Sequence, residues 1–148
     1  MPMLEKEISI RAPLDTVWSA WTTNEGLAFL SPESNIELRI GGPYEWFLHG
    51  EPDDQGKRGS EGSHVLAFLP KKMIAFSWTF PPEVPELRYA DERTQVVVLF
   101  NEGSDGVVHV GLHAHGWQDG EPWQRGWAYF DSAWGFVLNT MKQHLESP

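Results

Sequence analysis

The last long apolar segment of the chain, residues 123–145, has the periodicity of one amphipathic helix. Its apolar side chains recur every three or four residues, which an α-helix places on one stripe. A second stripe beside the first widens the apolar arc to roughly 200°, more than one flat packing face requires. We therefore expect other elements to wrap this helix. The first stripe contains Trp123, Trp127, Phe130, Trp134, Leu138, Met141 and Leu145, and the second contains Tyr129, Ala133, Phe136 and Thr140.

Alternation of apolar and polar residues predicts seven strands ahead of this helix. Two short helices are predicted between the first two strands, and the second of them is capped by residues 23–25 and extends through Leu30. Because the later strands follow one another through short turns, the sheet should be antiparallel and the fold class α+β. The predicted strands are 5–11, 35–40, 44–48, 64–69, 73–80, 94–100 and 107–115.

Two long connections lack a strand pattern. Residues 50–62 form a glycine-rich loop that we predict to be mobile, with acidic side chains whose spacing does not match a calcium loop and which most simply solubilise it. Residues 80–93 contain three prolines, which rule out regular sheet, together with apolar side chains. A loop of this second kind often covers a site. The acidic residues of the first loop are Glu51, Asp53, Asp54 and Glu61.

Composition narrows the classes of partner and compartment. With 148 residues the chain is expected to be one domain, residues 1–148, large enough to fold without a disulfide. It has no cysteine, which is compatible with a reducing compartment, and no apolar stretch reaches the roughly 18 residues of a membrane span. We therefore predict a cytoplasmic protein. A formal net charge of -10, with 21 acidic against 11 basic residues, makes nucleic acids and anionic membranes poor partners.

Aromatic side chains of the long helix and of the sheet are the candidates for a ligand-binding cavity. Each large aromatic residue buries roughly 150–250 Å² and stacks with directional preference, so a group of them can hold an apolar or aromatic ligand. Taken one by one, the same residues fit plain core packing better. The predicted site residues are Trp127, Phe130, Trp134 and Phe136 from the helix and Tyr44, Trp46, Phe68, Phe76 and Trp78 from the sheet.

Three histidines, His109, His113 and His115, share one face of the last predicted strand. A His-x-His pair can supply two imidazoles to zinc or iron, but a metal site needs a third ligand, and no spacing identifies one. The pattern therefore favours a solvated or hydrogen-bonded histidine face, and we expect neither a metal nor an organic cofactor. The opposite face, predicted to be core, carries Val108, Val110, Leu112 and Ala114.

Catalysis would require a carboxylate, histidine or tyrosine with a perturbed pKa facing the cavity. The candidates for such an acid or base are Glu45, His49, Tyr129 and Asp131. The sequence contains no serine nucleophile elbow, phosphate loop or helical zinc motif. An enzyme is therefore neither required nor excluded by the sequence.

Four stretches carry a resemblance that covers nearly the whole chain. Residues 12–27 contain the segments Ala-Pro, Val-Trp, Ala-Trp-Thr and Glu-Gly-Leu of two opening helices, and residues 39–44 contain the glycine turn Arg-Ile-Gly-Gly-Pro-Tyr. A proline-to-tryptophan strand pair spans 70–78, and the closing helix, 127–145, contains Phe-Asp and Trp-Gly. In this order the stretches resemble the activator of heat shock protein 90 ATPase homologue-like family, within the START/SRPBCC superfamily.

The resemblance implies a helix-grip fold. In this fold a curved antiparallel sheet, here of about seven strands, wraps a long carboxy-terminal helix, two short helices follow the first strand, and a cavity opens toward the loops. The resemblance also implies functions that vary among members, from lipid or polyketide binding to cyclisation and co-chaperone activity. The eukaryotic co-chaperones of the family carry a further amino-terminal domain, for which 148 residues leave no room.

Three functions follow as hypotheses. The leading one is a binding protein, monomer or homodimer and stress-related, whose partner is a small hydrophobic or aromatic molecule held between the sheet and the long helix. The second is a cyclase or hydrolase-type enzyme that uses a cavity acid or base. The third is a co-chaperone-like activator of an ATPase.

Overall fold

The computed structural model describes residues 2–147, which form seven strands and four helices. The α+β class predicted from the sequence is confirmed. The first half contains β1 (Leu4–Ile10), α1 (Leu14–Thr22), α2 (Asn24–Leu27), β2 (Glu33–Ile36) and β3 (Tyr44–Phe47). The second half contains β4 (Val65–Leu69), β5 (Met73–Trp78), α3 (Pro85–Arg88), β6 (Thr94–Glu102), β7 (Val108–His115) and α4 (Glu121–Leu145).

The strands form two antiparallel sheets, not one. Five of them make a sheet in the order β1-β7-β6-β5-β4, and β2 pairs with β3 in a second sheet. Backbone hydrogen bonds join the two, because the Gly41 N–H donates to the Val65 carbonyl and the Val65 N–H donates to the Gly42 carbonyl, both at 2.8 Å. Gly41 has a φ of 78°, the left-handed conformation that glycine adopts at little cost. The small sheet is therefore attached beside β4 by an irregular join.

The alternation of residues along β7 determines which face of the large sheet is buried. His109 is exposed, and His113 and His115 are partly exposed, on the face opposite the core. The apolar residues between them are each at most 1% exposed, as the sequence predicts. This buried face packs toward α4, so the sheet and the long helix share one core. Its β7 members are Val108, Val110, Leu112 and Ala114.

Helix α4 buries a narrower arc than its sequence suggests. The first apolar stripe is largely buried, with Trp134 2% and Met141 0% exposed. The second stripe is not, since Tyr129 is 36% and Phe136 67% exposed. The sheet covers one side of the helix only: Ala133 packs at the edge of the covered side, whereas Phe136 faces away from it. The helix begins after Gly120, with Glu121 in its first turn, and no helix within residues 2–147 is long and apolar enough to cross a membrane.

An aromatic cluster centred on Trp134 joins the helices to both sheets. The Trp134 ring centroid lies 6.4 Å from that of Trp21, 5.9 Å from Trp46, 5.2 Å from Trp78 and 6.1 Å from Phe130. Tilted and edge-on pairs at these distances each contribute about 0.5–1.5 kcal/mol beyond the apolar area that they bury. One side chain of α4 therefore holds α1, β3 and β5 in place.

Three segments differ from their predicted form. The second short helix, predicted through Leu30, ends at Leu27. The strand expected over 35–40 is instead Glu33–Ile36. At its end the Asn24 side chain accepts a hydrogen bond from the Ile36 N–H at 3.0 Å. The chain then turns back through Gly42, and Ile40 is 64% exposed. The proline-rich segment, predicted to be irregular, contains the short helix α3. Pro85 lies in its first turn, where a missing N–H costs no hydrogen bond.

Candidate functional site: an aromatic cavity with unpaired donors

A cavity of about 90 Å³ lies between α4 and the carboxy-terminal ends of β3 and β5. A closed apolar cavity of about 150 Å³ holds benzene, so a ring bound in this smaller cavity would extend into its mouth. Exposed residues at its edge, including Leu48 and Tyr129, form an open mouth. The residues that line it are Trp46, Leu48, His49, Gly59, Ser60, Trp78, Thr79, Phe80, Pro81, Pro82, Arg88, Tyr129, Phe130, Ala133, Trp134 and Val137.

Four of the nine site residues named from the sequence lie on the cavity wall. Trp46 comes from β3, Trp78 from β5, and Phe130 and Trp134 from α4. Each is at most 7% exposed. Their side chains also belong to the aromatic core, so the wall of the cavity and the core of the protein are the same surface.

The remaining five lie elsewhere. Tyr44 and Phe76 are fully buried, with ring centroids 4.1 Å apart, while Phe68 packs only partly buried against the core. The indole N–H of Trp127 donates to the Pro2 carbonyl at 3.0 Å, beside β1 and away from the cavity. The sequence predicts Phe136 in the cavity, but its side chain is 67% exposed and faces outward from α4, so this prediction is wrong.

The burial of Tyr44 has a structural role. Its hydroxyl donates to the Trp21 carbonyl at 2.6 Å, and desolvation raises the pKa of Tyr44 far above its usual value. The hydroxyl is therefore a fixed donor that ties β3 to α1. It does not supply an acid or base to the cavity.

Three buried polar groups on the cavity wall have no hydrogen-bond partner within residues 2–147: the Trp46 Nε1, the Thr79 Oγ1 and the Arg88 Nη2. The side chains that carry them are 1%, 5% and 2% exposed. A buried polar group without a partner costs about 1–3 kcal/mol, and native structures contain few of them. These atoms lie behind the surface of the cavity wall, since each has less than 1 Å² of accessible area.

Arg88 is fixed by groups from two other segments. Its Nε donates to the Asp53 Oδ2 at 2.9 Å, and its Nη1 donates to the Phe80 carbonyl at 2.7 Å. Asp53 also accepts from the Tyr89 hydroxyl at 2.8 Å and from the Lys57 N–H at 2.9 Å. The Lys57 N–H first, and then Tyr89 and Arg88, hold the pKa of Asp53 well below its usual value, so Asp53 is an anion.

The glycine-rich loop 50–62 is therefore more than a solubilising tip. Asp53 forms an ion pair with a side chain that is 2% exposed, 35 residues further along the chain. Gly59 lies so close to β3 that a Cβ atom would stand 1.8 Å from the Trp46 carbonyl oxygen, which no side chain could accept without a backbone shift. Ser60 accepts from the Trp46 N–H at 2.8 Å through its hydroxyl. These contacts hold the loop against the cavity.

A second ion-pair group ties α3 to the start of α4. Arg125 donates to Glu86 at 2.7 Å and to Glu121 one helical turn earlier. The hydrogen bond from Arg125 lowers the pKa of Glu86 to about 2. The Arg125 Nη1 also donates to the Glu83 carbonyl at 3.0 Å. The proline-rich segment beside the mouth is thereby fastened to the long helix, at the surface.

The candidate acids and bases are not gathered in the cavity. His49 and Tyr129 lie at its edge, and burial raises the pKa of Tyr129, which favours the neutral phenol. Asp131 forms an ion pair with Lys6 at 2.8 Å on the outer surface. Glu45 accepts from the Gly62 N–H at 2.7 Å, also outside the cavity.

The histidine face lies on the outer side of the large sheet. His109 shares a hydrogen bond of 2.8 Å with the Ser9 hydroxyl, and the His113 Nδ1 lies 3.7 Å from a Glu5 carboxylate oxygen. Within the described part of the chain, no three His, Asp or Glu side chains are grouped so that they could hold a metal ion. His109 is thus hydrogen-bonded on this outer face.

No sequence pattern indicated Arg88 or Thr79 as residues of the site. Arg88 is one basic residue in a segment with three prolines, and Thr79 lies in the predicted strand 73–80, whose candidate site residues are aromatic. The available signal is compositional: a lone arginine in an apolar, proline-rich segment close to an acidic loop. It does not identify Asp53 as the partner among the four acids of that loop.

The sequence matches a known family over most of its length. The family described as Activator of Hsp90 ATPase homolog 1-like protein matches residues 11–146, and the chain belongs to it. The resemblance inferred from the four sequence stretches is thereby confirmed. A comparison with curated protein sequences gives no match.

Solved structures share the fold. A protein from Mesorhizobium loti is 18% identical with a TM-score of 0.74, the comparison covering 96% of this chain and 95% of that one. The Aha1 dimer from Colwellia psychrerythraea is 18% identical with a TM-score of 0.73, over 99% and 97%. CalU16 from Micromonospora echinospora is 18% identical with a TM-score of 0.67, over 99% and 76%. These likenesses confirm the helix-grip fold.

Proposed function

We propose that this member of the Activator of Hsp90 ATPase homolog 1-like protein family binds a small, largely apolar or aromatic molecule between α4 and the sheet. The observation that carries the proposal is the cavity itself, which Trp46, Trp78, Phe130 and Trp134 line and which opens to solvent. Apolar pockets with a few convergent polar groups are the usual binding sites of small molecules. The cavity of about 90 Å³ would hold one end of such a molecule, and the rest would extend through the open mouth.

Enzymatic turnover and activation of an ATPase stay as predictions from the sequence. The proposal keeps the cytoplasm as the compartment, since the chain has no cysteine and suits reducing conditions. It leaves the oligomeric state as monomer or homodimer, and the Colwellia psychrerythraea relative is described as a dimer.

Filling the cavity should abolish binding without removing a core residue. Ala133 lines the cavity on α4 and is partly exposed. In Ala133→Phe the added ring would occupy the ligand's space, so the affinity for single-ring compounds should fall at least about tenfold, the loss expected when a well-packed apolar contact of about 1.4 kcal/mol is removed. Quenching of the intrinsic tryptophan fluorescence during titration measures this affinity.

The matched control is Ala128→Phe, the same substitution on an exposed position of α4. It should leave the affinity unchanged. Equal affinities in wild type, Ala133→Phe and Ala128→Phe would contradict the cavity as the binding site, and an absence of saturable binding in the wild type would remove the proposed function.

A further inference from the structure

The surface around the mouth of the cavity must hold whatever part of a ligand the cavity cannot. The mouth is bordered by α4, by the loop 50–62 and by the proline-rich segment 80–93. Because the cavity of about 90 Å³ is smaller than the closed cavity of about 150 Å³ that holds benzene, a molecule larger than benzene continues outside across one of these borders. The charges at each border favour one direction.

The borders formed by the loop and by the proline-rich segment carry charged groups. Burial first, and then the charge of Glu83, raises the pKa of Tyr129 at the edge of the cavity, and the charge of Arg88 acts in the opposite direction. In the loop, Arg58 forms an ion pair with Glu33 at 2.6 Å beside residues that line the cavity. An apolar chain lying across either border would take these charges out of water, which is unfavourable.

The border formed by α4 is nearly uncharged. Residues 126–141 contain one charged side chain, that of Asp131, although 22% of all residues of the protein are charged. Asp131 pairs with Lys6 of β1 at 2.8 Å, on another side of the helix from the cavity. An apolar molecule can therefore lie along the mouth side of this helix segment without desolvating a charge.

Phe136 lies on the helix surface directly beside this border. Tyr129, Ala133 and Phe136 follow one another at spacings of four and three residues, and the first two line the cavity. Cβ atoms three residues apart on a helix are roughly 5–6 Å apart, and helical side chains lean toward the amino terminus, so the Phe136 ring covers the turn that contains Ala133. The methyl group of Ala133 thus leaves a low passage between two larger aromatic side chains.

We infer that the protein binds an elongated, neutral apolar molecule, one end of which fills the cavity while the rest passes over Ala133 and lies against Phe136 on the surface of α4. This inference rests on the proposed function and deepens it by naming the shape and charge of the ligand. Phe136 is 67% exposed, so a ligand that covers it removes apolar area of both partners from water. The contact lies outside the cavity and continues its wall.

The test compares toluene with butylbenzene, which adds three carbons to the same ring. Dissociation constants are measured by quenching of the tryptophan fluorescence in wild type and in Phe136→Ala. Each carbon that leaves water raises the affinity up to about fourfold, so butylbenzene should bind wild type at least about tenfold more tightly than toluene. In Phe136→Ala this ratio should fall at least about threefold, the loss expected when the contact with about one carbon disappears.

The charge of the ligand is tested with 4-phenylbutanoate, which has a carboxylate in place of the last methyl group of butylbenzene. It should bind wild type at least about tenfold more weakly than butylbenzene, because its carboxylate would lose water beside a helix segment without a cationic partner. Equal affinities of these two compounds would overturn the inference of a neutral ligand.

The control variant is Leu99→Ala, which removes another exposed apolar side chain on the outer face of the large sheet, where Leu99 lies opposite Gly111. It should keep the wild-type ratio. The same ratio in wild type and Phe136→Ala, or the same fall in both variants, would overturn the inference while the proposed function stands. A dimer seen by sedimentation that Phe136→Ala dissociates would place a second copy on this surface and also overturn it. Binding of none of the compounds would remove the proposed function as well.

Discussion

Trp134→Ala is expected to lower the free energy of unfolding by about 3–5 kcal/mol, the usual cost of truncating a buried tryptophan. Trp134 is 2% exposed, and its ring contacts those of Trp21, Trp46, Trp78 and Phe130. The substitution would leave a void that these rigid rings cannot close. Urea unfolding followed by far-ultraviolet circular dichroism measures the loss.

Phe136→Ala is the matched control for this prediction. The residue lies two positions further along the same helix, is also aromatic, and is 67% exposed. Its removal should change the free energy of unfolding by no more than about 0.5 kcal/mol. Similar losses in the two variants would mean that α4 is rotated relative to the sheet, and the assignment of its buried face would be wrong.

Asp53→Ala should lower the melting temperature by about 10 °C, although the residue lies in a surface loop. The substitution leaves the Arg88 guanidinium without its carboxylate partner. Arg88 is 2% exposed, and its hydrogen bond to the Phe80 carbonyl would remain. A buried charge without its partner is among the most costly changes that one substitution can make. Differential scanning calorimetry of Asp53→Ala, with Asp54→Ala at the exposed neighbouring position as the control, measures the effect. Equal melting temperatures for the two variants would show that the ion pair does not hold the loop.

Acid should weaken the same contact in the wild type. The pKa of Asp53 is lowered in the folded protein, chiefly by the Lys57 N–H, so this group stabilises the fold above its unfolded pKa of about 3.8. Its contribution is lost as the pH falls from that value through the lower pKa of the folded state. The melting temperature of Asp53→Asn should therefore depend less on pH below about 4 than that of the wild type. The same pH dependence in both proteins would contradict the assignment.

Most of the fold could be predicted from local sequence patterns. The alternation along β7 placed its valines inside and its histidines outside, and the three-and-four spacing of α4 located the helix to within two residues at its start. Thr23, in the segment predicted to cap α2, accepts from the Gly26 N–H at 2.9 Å through its side chain. Such features depend on residues near one another in the chain, where periodicity and capping preferences are informative.

The sequence predictions fail for features that depend on contacts between distant segments of the chain. Periodicity assigned Phe136 to a buried arc because it cannot show where the sheet stops covering the helix. The two-sheet arrangement depends on the join at Gly41 and Val65, which no alternation pattern predicts. Arg88 and Asp53 are 35 residues apart, and each alone has the properties of a solvated charge. The ion pair beside the cavity was therefore not predictable from the sequence, whereas four of the six Phe, Tyr and Trp residues that line the cavity followed from residue type.

The most direct test of the binding cavity is a heteronuclear NMR titration with toluene, a small aromatic molecule, followed through the indole N–H signals of the eight tryptophans. Binding in the cavity should move the signals of Trp46, Trp78 and Trp134 along one saturable curve. The Trp127 signal should stay in place, because its N–H is bonded to the Pro2 carbonyl on another side of α4. Saturable shifts confined to Trp127, or no saturable shift of any indole signal, would contradict a ligand-binding cavity between α4 and the sheet.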